Sequence, residues 1–177
     1  QKSSGYTLNR AYQSFRQPGS SIKPLIDYTP SLERNYTPDS SVNDHKFSGG
    51  PSNASGRYYG YVSLRFALEQ SLNTVAWQLF EELTPKVGLQ YLLNMHFSKI
   101  VKKDYTNATS IGGLTYGCSA LEMASGFATL ENDGKFRDPT CIVKILDSEG
   151  NTVVEDHVDE TYIYDSKAAN TMVDMME

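Results

Sequence analysis

At 177 residues, with 39% hydrophobic and 21% charged side chains, the chain has the length and composition of one folded domain with a substantial core. Its formal net charge of -5 leaves no basic stripe to neutralise a phosphate backbone, which excludes a general nucleic-acid binder. No segment approaches a membrane span, and neither the two cysteines (Cys118, Cys141) nor the scattered His45, His96 and His157 have metal-ligand or disulfide-framework spacing, so no metal or cofactor is expected.

In chain order, residues 6–15 read as the end of a strand entering Arg16-Gln17-Pro18-Gly19-Ser20-Ser21-Ile22-Lys23-Pro24. The Pro-Gly turn delivers Ser20 onto the first turn of a helix, with Lys23 three residues on along the same face. Two readings are open on these residues alone. One is a capped helix with a solvated lysine. The other is a nucleophile and its base, since a serine hydroxyl needs a group to remove its proton and a lysine kept neutral by burial does so. Free N–H groups at the helix start would then face a developing oxyanion. The helix continues for a turn or two over Pro24–Thr29, Pro24 being tolerated in a first turn.

From Pro30 to Tyr61 the Ser, Pro, Gly, Asn, Asp and Tyr content predicts a long surface excursion with a short strand around Ser41-Val42. Asn35, Asn53 and Asn107 match the glycosylation sequon, a match that such loops produce by chance. Ser63 caps an amphipathic helix over 63–70, which breaks at Ser71-Leu72-Asn73 before a second helix over Thr74–Leu83 with Val75, Leu79 and Phe80 inward. Ser71 and Asn73 at this corner either point into a cleft or merely cap the next helix. Thr84-Pro85 opens a helix to about residue 95, with Val87, Tyr91, Leu92 and Met95 inward. Residues 99–110 read as loop, and 111–117 as a tight glycine-rich approach without the lysine of a phosphate loop. Ser119 and Glu122 form a capping box for a helix through Leu130 that stops at Asn132-Asp133-Gly134. Strands over 140–146 and 151–155 follow as a hairpin around residues 147–150. After Tyr162-Ile163-Tyr164, Asp165 or Ser166 caps a last helix carrying Ala169, Met172, Val173 and Met176. Cys118 and Cys141 read as small core residues.

These parts in this order resemble the transpeptidase domain of penicillin-binding proteins, in particular the bifunctional class A kind. Ser20-Ser21-Ile22-Lys23 matches the Ser-x-x-Lys motif. Ser71-Leu72-Asn73, inside Leu64-Arg65-x-Ala67-Leu68-x-x-Ser71-Leu72-Asn73-Thr74-Val75-Ala76, matches Ser-x-Asn. A third match, without catalytic side chains, runs over Gly112–Gly117 and Leu121–Thr129. The similarity extends from about residue 9 to 177. It implies an α/β (α+β) fold of the beta-lactamase/transpeptidase type, a central antiparallel sheet flanked by helices. The family's Lys-Thr-Gly motif is absent, the lone Lys86-Val87-Gly88 lying at a helix start. The expectation is therefore that residues 1–177 are the central part of the domain, mostly its helical region plus a hairpin at about 140–155. The first strands and the Lys-Thr-Gly strands would lie on other pieces, and the chain alone would be inactive.

By the same resemblance the substrate is a peptidoglycan stem peptide ending in D-Ala-D-Ala, at the extracytoplasmic face of the cell membrane, with the anchor outside this chain. Ser20 would be the nucleophile and contribute its N–H to the oxyanion site, and Lys23 would be the base. Ser71 would relay the proton to the leaving nitrogen, and Asn73 would bind the substrate peptide and Lys23. Beta-lactams would acylate Ser20. Rival readings are a class A beta-lactamase, for which no Glu-x-x-Leu-Asn string follows Asn73, a beta-lactam sensor that binds without turnover, and a non-catalytic wall-binding module.

Overall fold

The longest fully buried run of the chain is the one that follows Ser21. Every residue from Ile22 to Ser31 is buried, with Ile22, Lys23, Leu25, Ile26, Asp27, Tyr28 and Thr29 at 0–1% exposure. A helix without a polar face must be enclosed on all sides. The computed structural model, which describes residues 7–155 and 159–177, places this stretch at the centre. Residue 6 and His157 lie outside the described residues.

The central stretch is helical but irregular: a 3-10 turn over Gly19–Ile22, a π turn over Pro24–Tyr28, and α1 over Thr29–Leu32. It thus runs one turn further than the composition after Thr29 suggested. Pro30 accounts for the irregularity. Its ring would meet the carbonyl four residues back in a regular α-helix, and the widened turn directly before it relieves that crowding.

Around it pack α2 (Leu64–Glu69), α3 (Asn73–Leu83), α4 (Pro85–Asn94), α5 (Ala120–Glu131) and α6 (Ser166–Met176). Their starts follow the local signals: the Ser63 hydroxyl accepts from Phe66 N–H, and Ser119 and Glu122 make a reciprocal capping box. Val75, Leu79 and Phe80 of α3 enter the core as their spacing required, while α6 buries Ala169, Met172 and Met175 and leaves Met176 at the surface. Close approach is enforced by small residues. A Cβ on Gly126 would lie 2.7 Å from the Leu25 side chain, and one on Gly88 2.1 Å from the Phe80 ring.

Strands among the described residues pair antiparallel, two by two: β1 (Ser41–Asp44) with β2 (Gly60–Ser63), β3 (Lys135–Arg137) with β6 (Glu160–Tyr162), and β4 (Lys144–Leu146) with β5 (Thr152–Glu155). The β4–β5 hairpin is the one expected, with shorter strands. β3 and β6 were not anticipated, because three residues carry too little period to read and their partners are far apart in sequence. Residues 7–15 correct the expected strand: Asn9 and Gln13 hold a local turn, Gln13 N–H donating to the Asn9 carbonyl at 2.9 Å. Arg16 alone makes an isolated bridge, to Cys118. Cys118 is buried as expected, but Cys141 is exposed and both thiols are free.

The glycine run over 112–117 proves to be the floor beneath the serine turn. Gly112 (φ +87°) lies so close that a Cβ there would be 2.4 Å from the Gly19 backbone, and one on Gly117 (φ +75°) 2.2 Å from the Arg16 carbonyl. Gln17 Nε2 adds a bond to the Leu114 carbonyl at 3.1 Å. The loop behind is stapled by buried Asp104, which accepts from Val101 N–H, Thr115 N–H and the Thr115 hydroxyl at 2.8, 2.8 and 2.6 Å.

Candidate active site

Ser20 is the second residue of the 3-10 turn that Gly19 opens at φ +59°, and it is exposed to solvent. One turn on, Lys23 is 1% exposed. The reading of Lys23 as a solvated lysine is thereby removed.

The Lys23 ammonium is held by a fork of three oxygens. Nζ lies 2.7 Å from the Ser71 carbonyl, 2.7 Å from Asn73 Oδ1 and 3.1 Å from Ser71 Oγ. Burial pulls the Lys23 pKa down from 10.5 to about 8, with Asp27 opposing. A lysine so shifted is partly neutral near neutral pH. As a free amine it donates two N–H bonds to the two carbonyl oxygens and keeps a lone pair for a hydroxyl proton.

The corner that supplies this fork is a helix-ending motif with an unusual occupant. At the end of α2, Leu72 N–H bonds to the Ala67 carbonyl at 2.9 Å and Ser71 N–H to the Leu68 carbonyl at 2.8 Å. This is a Schellman ending, which puts its C′ residue in the left-handed region that glycine favours. Ser71 occupies it at φ +51°. Strain of this kind persists where the surroundings over-determine it, and here both the carbonyl and the hydroxyl of the strained residue face Lys23.

Asn73 settles the other open reading. Its side chain does not cap α3: Oδ1 faces Lys23 and Nδ2 donates to the Ser52 carbonyl at 2.9 Å. Ser20, Lys23 and Ser71 line one open cleft of 530 Å³, together with Arg65 and Glu69 of α2 and the end of α6. The structure thus brings Ser20, Lys23 and Ser71 to one cavity and sets Asn73 behind them on Lys23.

Asp27 lies one turn beyond Lys23, fully buried, and neither carboxyl oxygen has a hydrogen-bond partner among the described residues. Burial drives its pKa well above the ordinary 3.8, with Lys23 opposing. The sign follows from linkage. The folded state holds this proton more tightly than the unfolded chain, so Asp27 costs stability progressively as pH rises above about 4. Asp27→Asn in the full-length protein is expected to raise Tm relative to the unsubstituted protein by more at pH 7.5 than at pH 5. An equal shift at both values would contradict the buried-acid account.

Comparison with known proteins places these residues in context. A family model for the penicillin binding protein transpeptidase domain matches residues 1–177. Penicillin-binding protein 4 of Bacillus subtilis is 37% identical over 163 residues, covering 90% of this chain and 26% of that protein. Penicillin-binding protein 1F of the same organism is 31% identical over 166 residues, 92% of this chain and 23% of its own length. The chain therefore spans about a quarter of the length of these curated relatives. Among solved structures, penicillin-binding protein 1A of Haemophilus influenzae superposes with a TM-score of 0.71 at 30% identity, over 86% of this chain and 23% of that one. The Mycobacterium tuberculosis PonA1 protein in complex with penicillin V superposes with a TM-score of 0.81 at 21% identity, over 97% and 49%, a likeness of fold.

Proposed function

Because this chain belongs to the transpeptidase family of penicillin-binding proteins, we propose that it supplies the serine–lysine half of a D-Ala-D-Ala transpeptidase site, residues 1–177 being the central part of that domain. The observation that carries the reading is the fork on Lys23: a buried lysine, lowered to about 8, bonded at once to Ser71 and Asn73 beside exposed Ser20. A structural lysine has no need of a hydroxyl on a strained residue.

In the proposed reaction the Ser20 hydroxyl attacks the carbonyl carbon of the penultimate D-Ala of a stem peptide and gives its proton to the neutral Lys23 amine. The Ser20 N–H, at the start of the helical stretch, faces the resulting oxyanion, joined by a second donor from beyond this chain. Collapse of the tetrahedral intermediate breaks the peptide bond. Ser71 passes a proton from Lys23 to the leaving nitrogen, and D-Ala departs, leaving an ester on Ser20. An amine from a neighbouring stem peptide attacks that ester and restores the serine. Asn73 holds Lys23 through Oδ1 and offers its amide to the substrate peptide. A beta-lactam, entering as a mimic of D-Ala-D-Ala, acylates Ser20 by the same attack, its ring C–N bond breaking so that the amine stays attached to the acyl group.

The protein is placed by this reading at the outer face of the cell membrane, acting on the wall. No described helix is itself long and apolar enough to cross a membrane. Incubating the full-length protein with a fluorescent penicillin tests the proposal. Stable label on the peptide containing Ser20, together with D-Ala release from a D-Ala-D-Ala peptide, is the expected result. Rapid turnover of the penicillin would mark a beta-lactamase, stable label without D-Ala release a sensor, and no label a non-catalytic wall-binding module.

A further inference from the structure

The Pro30–Tyr61 excursion is not a passive surface loop, because one of its residues is buried against the catalytic corner. Asn53 is 4% exposed. Its Oδ1 accepts from Asn73 N–H at 2.8 Å and Thr74 N–H at 3.3 Å, and its Nδ2 donates to Asp44 Oδ1 at 2.7 Å and the Arg57 carbonyl at 2.9 Å. All four positions of the amide are in use.

These contacts answer a question that α3 poses. Its first N–H groups need an acceptor, and the residue in the N-cap position, Leu72, has no side-chain oxygen. Asn53 provides the cap from twenty residues upstream. The orientation of its amide is dictated by its neighbours. Asp44, 0% exposed, also accepts from the Thr74 hydroxyl and, at 2.8 Å, from Tyr59 N–H. A carboxylate facing Asn53 requires the NH2 group there, so the amide oxygen must face α3. The same logic repeats at Asn73, where the adjacent Ser52 carbonyl takes the NH2 group and leaves Oδ1 for Lys23.

We propose that Asn53 is a positioning residue for acylation: it anchors the first turn of α3 and holds Ser52 where Ser52 orients the Asn73 amide on Lys23, with Asp44 fixing Asn53 in turn. The proposal rests on the reading of Ser20 and Lys23 as an acylating pair. Asn53 acts through Asn73 and hydrogen-bonds to neither Ser20 nor Lys23, so its effect is on rate through geometry, where displacements near 1 Å cost about a hundredfold.

The test uses the full-length protein and the second-order rate of Ser20 labelling by fluorescent penicillin. Asn53→Ala is expected to slow labelling about a hundredfold, and the Asn53→Ala/Asn73→Ala double variant to label no more slowly than Asn73→Ala alone. Losses that multiply in the double variant, or a wild-type rate in Asn53→Ala, would overturn the proposal. Asn53→Asp carries the test should the alanine variant fail to fold. It retains the acceptor for α3 but sets a carboxyl against Asp44. The amide donor to Asp44 is lost and two acceptor groups face one another, which displaces the residue from α3. At a fixed pH of 7.5 Asn53→Asp is expected to label about tenfold to a hundredfold more slowly than wild type, and a wild-type rate in a folded Asn53→Asp protein would overturn the proposal. No Ser20 label in the unsubstituted protein would overturn the acylation reading and this proposal with it. Normal wild-type labelling beside an indifferent Asn53 would overturn this one alone.

Discussion

Ser20→Ala is expected to abolish covalent capture of fluorescent penicillin by the full-length protein, with no residual label on the Ser20 peptide after exposures that saturate the unsubstituted protein. The size of the effect follows from the chemistry: the ester needs an oxygen that alanine lacks. The neighbouring hydroxyls are poor substitutes for geometric reasons. Ser21 Oγ is tied to the Pro18 carbonyl at 2.8 Å, and Ser71 Oγ is engaged by Lys23 at 3.1 Å. The substitution should leave folding intact, since Ser20 is exposed and the turn around it is determined by Gly19 against Gly112. Undiminished labelling of Ser20→Ala would sink the nucleophile assignment, and Tm measured on the same sample separates lost chemistry from lost structure.

Lys23→Ala should slow acylation by about two to four orders of magnitude, the usual contribution of a positioned general base. The pH dependence is the more specific signature. Only the neutral amine accepts the Ser20 proton, so below its pKa of about 8 the labelling rate should climb with pH, about tenfold per unit, and level off above it. Lys23→Arg should restore the positive charge without restoring the rate, because a guanidinium does not deprotonate in this range. A Lys23→Ala protein whose rate keeps the same climb would show that another group carries it. The lowered pKa also has a stability consequence of opposite sign to that of Asp27. The unfolded chain binds this proton more tightly than the folded one, so stability due to Lys23 rises as pH goes from about 8 to 10.5.

The four residues expected to carry the chemistry were legible because each signal is local. Three residues of helix put Lys23 on the side of Ser20, and the Ser71–Asn73 break interrupts two helical periods in plain view. The capping box at Ser119 and Glu122 and the β4–β5 hairpin are likewise complete within a few residues. Where the outcome differed, a distant partner was responsible. Residues 7–15 have the composition of a strand but turn at Asn9–Gln13 and give the Ala11 carbonyl to Leu121 N–H, and β3 exists through its register with β6. Asn53 sat in a stretch whose composition says only loop, and its burial comes from Asp44, Asn73 and Thr74, none of them a sequence neighbour.

The sequence by itself determined the main helices, the Ser63 and Ser119 caps, the β4–β5 hairpin and the family, since propensity, periodicity and motif spacing act over a turn or two of chain. Whether the lysine of Ser-x-x-Lys is solvated or buried against Ser71 and Asn73 was decided by tertiary structure alone. The lysine pKa is lowered through enclosure by elements remote in sequence, while the carbonyl and hydroxyl of a serine held at φ +51° and an amide oriented by the Ser52 carbonyl fix where its nitrogen sits. Desolvation depends on everything packed around a charge, and no local pattern encodes that.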